Sequence, residues 1–107
     1  MKKPHPVDRL FKTIASRKKA DPSKSYTAKL LKKGVAQCAK KLGEESVETA
    51  LAAVAKNKRA LKSESADLIY HLLVVWAACG IKPKDVYAEL ARRERQSGLA
   101  EKAQRRS

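Results

Sequence analysis

An all-α fold is predicted by three features of the sequence. Apolar residues recur at intervals of three and four along nearly its whole length, and no segment alternates as a strand would. Gly, Pro and Asn fall between the periodic stretches, where helices have to end. At 107 residues the chain can build one core, so the reading is a single domain over 1–107, with its core at about 6–95 and a polar tail at 96–107.

Val7, Leu10, Phe11 and Ile14 share one face of a first helix over 6 to about 17, with Pro6 at its first position. Lys18 to Lys24, with Asp21 and Pro22 inside it, is loop chemistry. Ser25 then caps a short helix from Tyr26 to Lys32, closed by Gly34. From Val35 to about Ala55 an apolar stripe runs through Cys38, Ala39, Leu42, Val47, Ala50, Leu51 and Val54, which predicts a long helix interrupted only by Gly43. Asn57 marks the turn, with Lys56, Lys58 and Arg59 expected at the negative end of a helix dipole. A second long helix is expected from about Ala60 to Cys79, apolar nearly all round after Leu68 and ended by Gly80. Pro83 opens a last helix to about Arg95. Phe11 and Trp76 are assigned to the core.

No apolar stretch is long enough to span a bilayer, and no apolar segment follows the charged first residues, so a cytoplasmic protein is expected. Cys38 and Cys79 form no C-x-x-C pair and are read as buried reduced thiols. The formal net charge is +14. Residues 1–43 hold 13 Lys/Arg against 2 Asp/Glu, net +11, whereas residues 44–107 hold 12 against 9, net +3. Such an excess points to a polyanionic partner, and the acid begins where the basic excess ends.

That acid is arranged. Glu44, Glu45 and Glu48 occupy one turn of the first long helix, and Glu64 and Asp67 one turn of the second. Residues three or four apart stand one above another on a helix face, so each pair can aim its oxygens at a single point. The short connection at Asn57 makes the helices an antiparallel hairpin, with Glu48 and Glu64 a similar distance either side of the turn. Glu44 repels Glu48, and no Lys or Arg follows at three or four residues from Glu45, Glu48, Glu64 or Asp67. Lys40, Lys41 and Lys62 on adjoining turns relieve part of this repulsion. Clustered carboxylates of this kind suit Mg²⁺, which takes oxygen ligands and shares its shell with substrate phosphates. Beside a basic half-chain, the arrangement implies phosphoanhydride hydrolysis.

The segments S-Y-T-A-K-L-L at 25–31, A-K-K-L-G-E-E-x-x-E at 39–48, E-x-A-D-L-I-Y-H-L-L-V at 64–74 and D-V at 85–86 together resemble the phosphoribosyl-ATP pyrophosphatase family, across roughly residues 7–93. The wider similarity is to the all-α nucleoside triphosphate pyrophosphohydrolases. The resemblance implies a helical bundle completed by homodimerisation, and cleavage of phosphoribosyl-ATP to phosphoribosyl-AMP and pyrophosphate, the second step of histidine biosynthesis. It implies Glu45, Glu48, Glu64 and Asp67 as Mg²⁺ ligands. Glu44 would be a catalytic residue that orients the attacking water or holds a second metal. Ser25, Tyr26, Thr27 and Lys29 match an early motif suited to ribose or phosphate, with a helix cap as the plainer reading. Lys40 and Lys41 either bind the triphosphate or shield the carboxylates. Tyr70 and His71 match a Y-H step and are read as a packed Tyr and a hydrogen-bonded His.

The high basicity and the tail past Gly98 depart from the family pattern, and nothing in the chain resembles a second histidine-pathway domain. Two alternatives compete. A housecleaning nucleoside triphosphate pyrophosphatase would keep the same acids but lacks a reason for the S-Y-T-A-K motif. A small basic nucleic-acid-binding protein would explain the charge, but the chain has no binding motif, few aromatics for stacking, and acids that repel a phosphate backbone.

Overall fold

The computed structural model describes residues 4–96, and the polar tail beyond Gln96 lies outside the described residues. The described residues form five α-helices and one 3-10 turn, with no strand: α1 (Pro6–Ser16), the 3-10 turn Arg17–Lys19, α2 (Tyr26–Lys32), α3 (Val35–Val54), α4 (Lys58–Cys79) and α5 (Pro83–Glu94). Pro6 occupies the first turn of α1, where its missing N–H costs nothing, and the His5 ring accepts from the Val7 amide at 3.1 Å. In the loop that follows, the Asp21 carboxylate accepts from the Ser23 amide (2.9 Å) and hydroxyl (2.8 Å), and these bonds hold its pKa below the ordinary value.

The frame of the molecule is the α3–α4 hairpin, whose helices pack along most of their length. Its turn is built by two devices. Lys56 adopts a left-handed conformation (φ 58°), with its own N–H on the Ala53 carbonyl and the Asn57 N–H on the Ala52 carbonyl, which closes α3 as a Schellman motif. Asn57 then caps α4, its side-chain oxygen accepting from the Ala60 amide at 3.0 Å. Helix α4 therefore begins two residues earlier than its apolar pattern suggests. Lys58 and Arg59 consequently stand at its positive end, contrary to the expected dipole placement, and only Lys56 lies beyond a helix C-terminus. Gly80 (φ 75°) ends α4 in the same way, with the Ile81 amide on the Trp76 carbonyl at 2.9 Å.

Ile14, Leu30, Cys38, Leu73, Val74 and Ala77 form the core, with Phe11 and Trp76 packed against it. The apolar side of α4 after Leu68 thus supplies half of these buried residues, as its pattern predicts. The α3 stripe behaves differently. Cys38 is fully buried, whereas Val47, Leu51 and Val54, at i, i+4 and i+7, are 57%, 63% and 81% exposed. One apolar face of the hairpin, near its turn, has no cover among the described residues. The cysteine expectation is also half corrected: both thiols are free, but only Cys38 is buried, because Cys79 lies at the last, outward-facing position of α4. Burial, together with the neighbouring Cys79, pushes the Cys38 thiol up.

Candidate metal centre

The register of the hairpin decides which acids meet. The Thr49 hydroxyl, bonded at 2.8 Å to the Glu45 carbonyl on its own helix, also lies 3.2 Å from the Glu64 carbonyl across the seam. This sets the Glu48 turn level with the Glu64 turn. Thr49 was missed by the sequence reading, and nothing in the sequence separates it from any other mid-helix hydroxyl.

At that level Glu45, Glu48 and Glu64 each place one carboxylate oxygen within 4.8 Å of the others. Glu64 Oε2 is shielded from solvent and meets no hydrogen-bond donor. Its carboxyl is pushed above the usual range, first by burial, then by the neighbouring Glu48 carboxyl, with Asp67 and Glu45 adding to the effect. A buried carboxylate oxygen with no donor, among negative neighbours, is unfavourable unless a cation joins it. The spacing suits one hexacoordinate divalent ion, whose opposite oxygens lie about 4–5 Å apart. The donor set therefore fits a hard divalent cation.

Asp67, one turn beyond Glu64, is exposed and adds its charge from outside this trio. Glu44 is apart from it as well. Rotated by about 100° from Glu45 around the helix, it is exposed and pairs instead with Lys41 at 3.5 Å. The Lys41 ammonium is held above the ordinary lysine range, first by the Glu44 carboxylate, with Tyr26 and Glu45 adding to the effect. Lys41 is thus the cation at the edge of the acidic cluster, while Lys40 is exposed beside it.

The early motif lies against this edge. Ser25 caps α2, its hydroxyl accepting from the Ala28 amide at 3.1 Å, so the plain cap reading of this residue holds. The Thr27 hydroxyl is bonded to the Tyr70 hydroxyl. The Tyr26 hydroxyl lies 3.4 Å from His71 Nε2. Tyr26 and Tyr70 stack at 6.4 Å, and Tyr70 meets the His71 ring edge-on at 4.9 Å. Tyr26 and Lys29 remain exposed, and with Pro22, Ser23, Lys24 and Ser25 they line an open cleft of about 550 Å³.

No single helix among the described residues is long and apolar enough to cross a membrane. The model of the phosphoribosyl-ATP pyrophosphohydrolase family matches residues 7–94. The chain is 63% identical over 99 residues to the phosphoribosyl-ATP pyrophosphatase of Parvibaculum lavamentivorans, covering 92% of this chain and 91% of that protein. It is 54% identical over 101 residues to that of Azospirillum brasilense, covering 94% and 91% respectively. It is 57% identical over 96 residues to that of Azorhizobium caulinodans, covering 90% and 88%.

Proposed function

The chain belongs to the phosphoribosyl-ATP pyrophosphohydrolase family, and from this premise we propose how its residues carry out the reaction. It is a hydrolase that cleaves phosphoribosyl-ATP to phosphoribosyl-AMP and pyrophosphate in histidine biosynthesis. Water adds to a phosphorus atom, the α–β anhydride bond breaks, and pyrophosphate leaves. The working unit in this reading is one domain acting in the cytoplasm.

The observation that carries the metal reading is the Glu45–Glu48–Glu64 cluster with its donorless Glu64 oxygen. These three residues, with Asp67 turning in from the next turn, would hold Mg²⁺. A bound divalent ion would neutralise phosphoryl oxygens and lower the pKa of a coordinated water. Glu44, outside the trio and paired with Lys41, would orient the attacking water as general base or hold a second metal. Lys41, already beside Glu44 and Tyr26, and Lys40 next to it neutralise the charge of the departing pyrophosphate. Ser25, Tyr26, Thr27 and Lys29 form the wall on which the rest of the substrate lies. Ser25 and Thr27 act mainly by fixing that wall, because their hydroxyls are already bonded within the protein.

The active form is a homodimer in this reading. Val47, Leu51 and Val54 make an apolar stripe immediately beside the acidic turn, and a second copy of the chain would cover it. The test is release of pyrophosphate from phosphoribosyl-ATP with Mg²⁺, run beside Glu48→Gln and an EDTA control. Release lost in both controls supports the proposal. Comparable turnover on a panel of ordinary nucleoside triphosphates would overturn the substrate assignment.

A further inference from the structure

Among the described residues the buried polar side chain is His71, 7% exposed on α4, one turn beyond Asp67. Its Nδ1 lies 2.8 Å from the Asp67 main-chain oxygen. A carbonyl oxygen can only accept, so Nδ1 carries the ring proton, and in the neutral ring Nε2 is then an acceptor. Among the described residues the group at Nε2 is the Tyr26 hydroxyl at 3.4 Å, which donates to the neutral ring. With its hydrogen turned inward, the phenol oxygen keeps lone pairs free to accept, and Tyr26 itself lines the cleft with Lys24 and Lys29. One residue further along α2 and one residue back along α4, Thr27 and Tyr70 join their hydroxyls. Two side-chain pairs thus tie the first turn of α2 to the Asp67 turn of α4.

We infer that His71 is a positioning residue of the reaction: by fixing the direction of the Tyr26 hydroxyl, it makes Tyr26 an acceptor for the substrate in the cleft beside the first turn of α2. The substrate group that meets such an acceptor is a hydroxyl, as on ribose, whereas phosphate oxygens pair with Lys41. This rests on the proposed function. Tyr26 touches substrate, and His71 acts only through Tyr26.

Two readouts test it. The chain contains two histidines, so the imidazole nitrogens of His71 are separable by ¹⁵N NMR with a His5→Gln control. The expected tautomer has the proton on Nδ1, with an Nε2 signal that shifts in Tyr26→Phe. In steady-state kinetics, Tyr26→Phe and His71→Phe should each raise the KM for phosphoribosyl-ATP by about 3- to 10-fold, the worth of one hydrogen bond, with kcat within about twofold. The double variant should be no worse than either single one. His71→Gln, whose amide oxygen can accept where Nε2 does, should restore the wild-type KM. Tyr26→Phe keeps the exposed ring in place and tests the inference even if His71→Phe does not fold. A proton on Nε2, an unchanged KM in Tyr26→Phe, or additive effects in the double variant would overturn the inference. Wild-type protein without pyrophosphate release would overturn the functional reading instead, and the tautomer would still decide the geometry at Nε2.

Discussion

Glu48 on α3 and Glu64 on α4 face each other across the hairpin with carboxylate oxygens within 4.8 Å, and Glu64 carries a second oxygen that no donor reaches. The pair holds like charge together in the folded chain and releases it on unfolding. The Glu64 pKa is raised above its ordinary value of 4.5, so the folded state binds more protons than the unfolded state above that pH. In the absence of divalent cations, stability should therefore fall as pH rises from about 4.5 through the raised value. Thermal melts from pH 4 to pH 8 in EDTA check the sign. Mg²⁺ should reverse the trend at pH 7, adding about 2.7 kcal/mol when present at 100 times its dissociation constant. It should add little near pH 4, where the raised pKa keeps Glu64 protonated.

Replacing one member of the pair should move stability and activity in opposite directions. Glu48→Gln removes a like charge beside Glu64, so the metal-free protein should melt at a higher temperature. The same change takes away a proposed metal ligand and should lower pyrophosphate release by at least about 100-fold. A variant that lost both stability and activity would mark Glu48 as structural.

The two ends of the hairpin make a stability comparison that involves no catalysis. Lys56 holds a left-handed conformation (φ 58°) without the freedom of glycine, while Gly80 (φ 75°) holds its own at no steric cost. Lys56→Gly should stabilise the fold by about 0.5–1 kcal/mol, and Gly80→Ala should destabilise it by about 1 kcal/mol. Urea unfolding of both variants measures the two effects, and each should leave pyrophosphate release unchanged at 25 °C.

The exposed stripe on α3 predicts an association state. Leu51, 63% exposed between Val47 and Val54, would lie at the centre of a copy-to-copy contact. Leu51→Glu should convert a dimer into a monomer in light scattering at micromolar concentration, without loss of helical circular dichroism. A wild-type chain that is monomeric throughout would refute the dimer.

Much of the architecture is legible because helix periodicity and punctuation are local. Pro6, Ser25, Gly34, Asn57, Gly80 and Pro83 each fall at or beside a helix boundary, and the residue types explain why. The legible part of the site is the pair of acidic turns, since spacing on one helix is enough to put Glu45 with Glu48 on one face and Glu64 with Asp67 on another. The near-equal distance of Glu48 and Glu64 from Asn57 also anticipates their common level.

What the sequence by itself determined, then, is the succession of helices, the facing acids and the family resemblance, because each depends on residue type and on spacing along the chain. Only the tertiary structure decided the exclusion of Glu44 and its pairing with Lys41, the outward position of Cys79, the uncovered α3 stripe, and the bonds from Tyr26 to His71 and from Thr27 to Tyr70. These depend on how each helix is rotated about its axis and on what packs beside it. A rotation of 100° separates adjacent residues on a helix, so Glu44 and Glu45, neighbours in sequence, serve different partners.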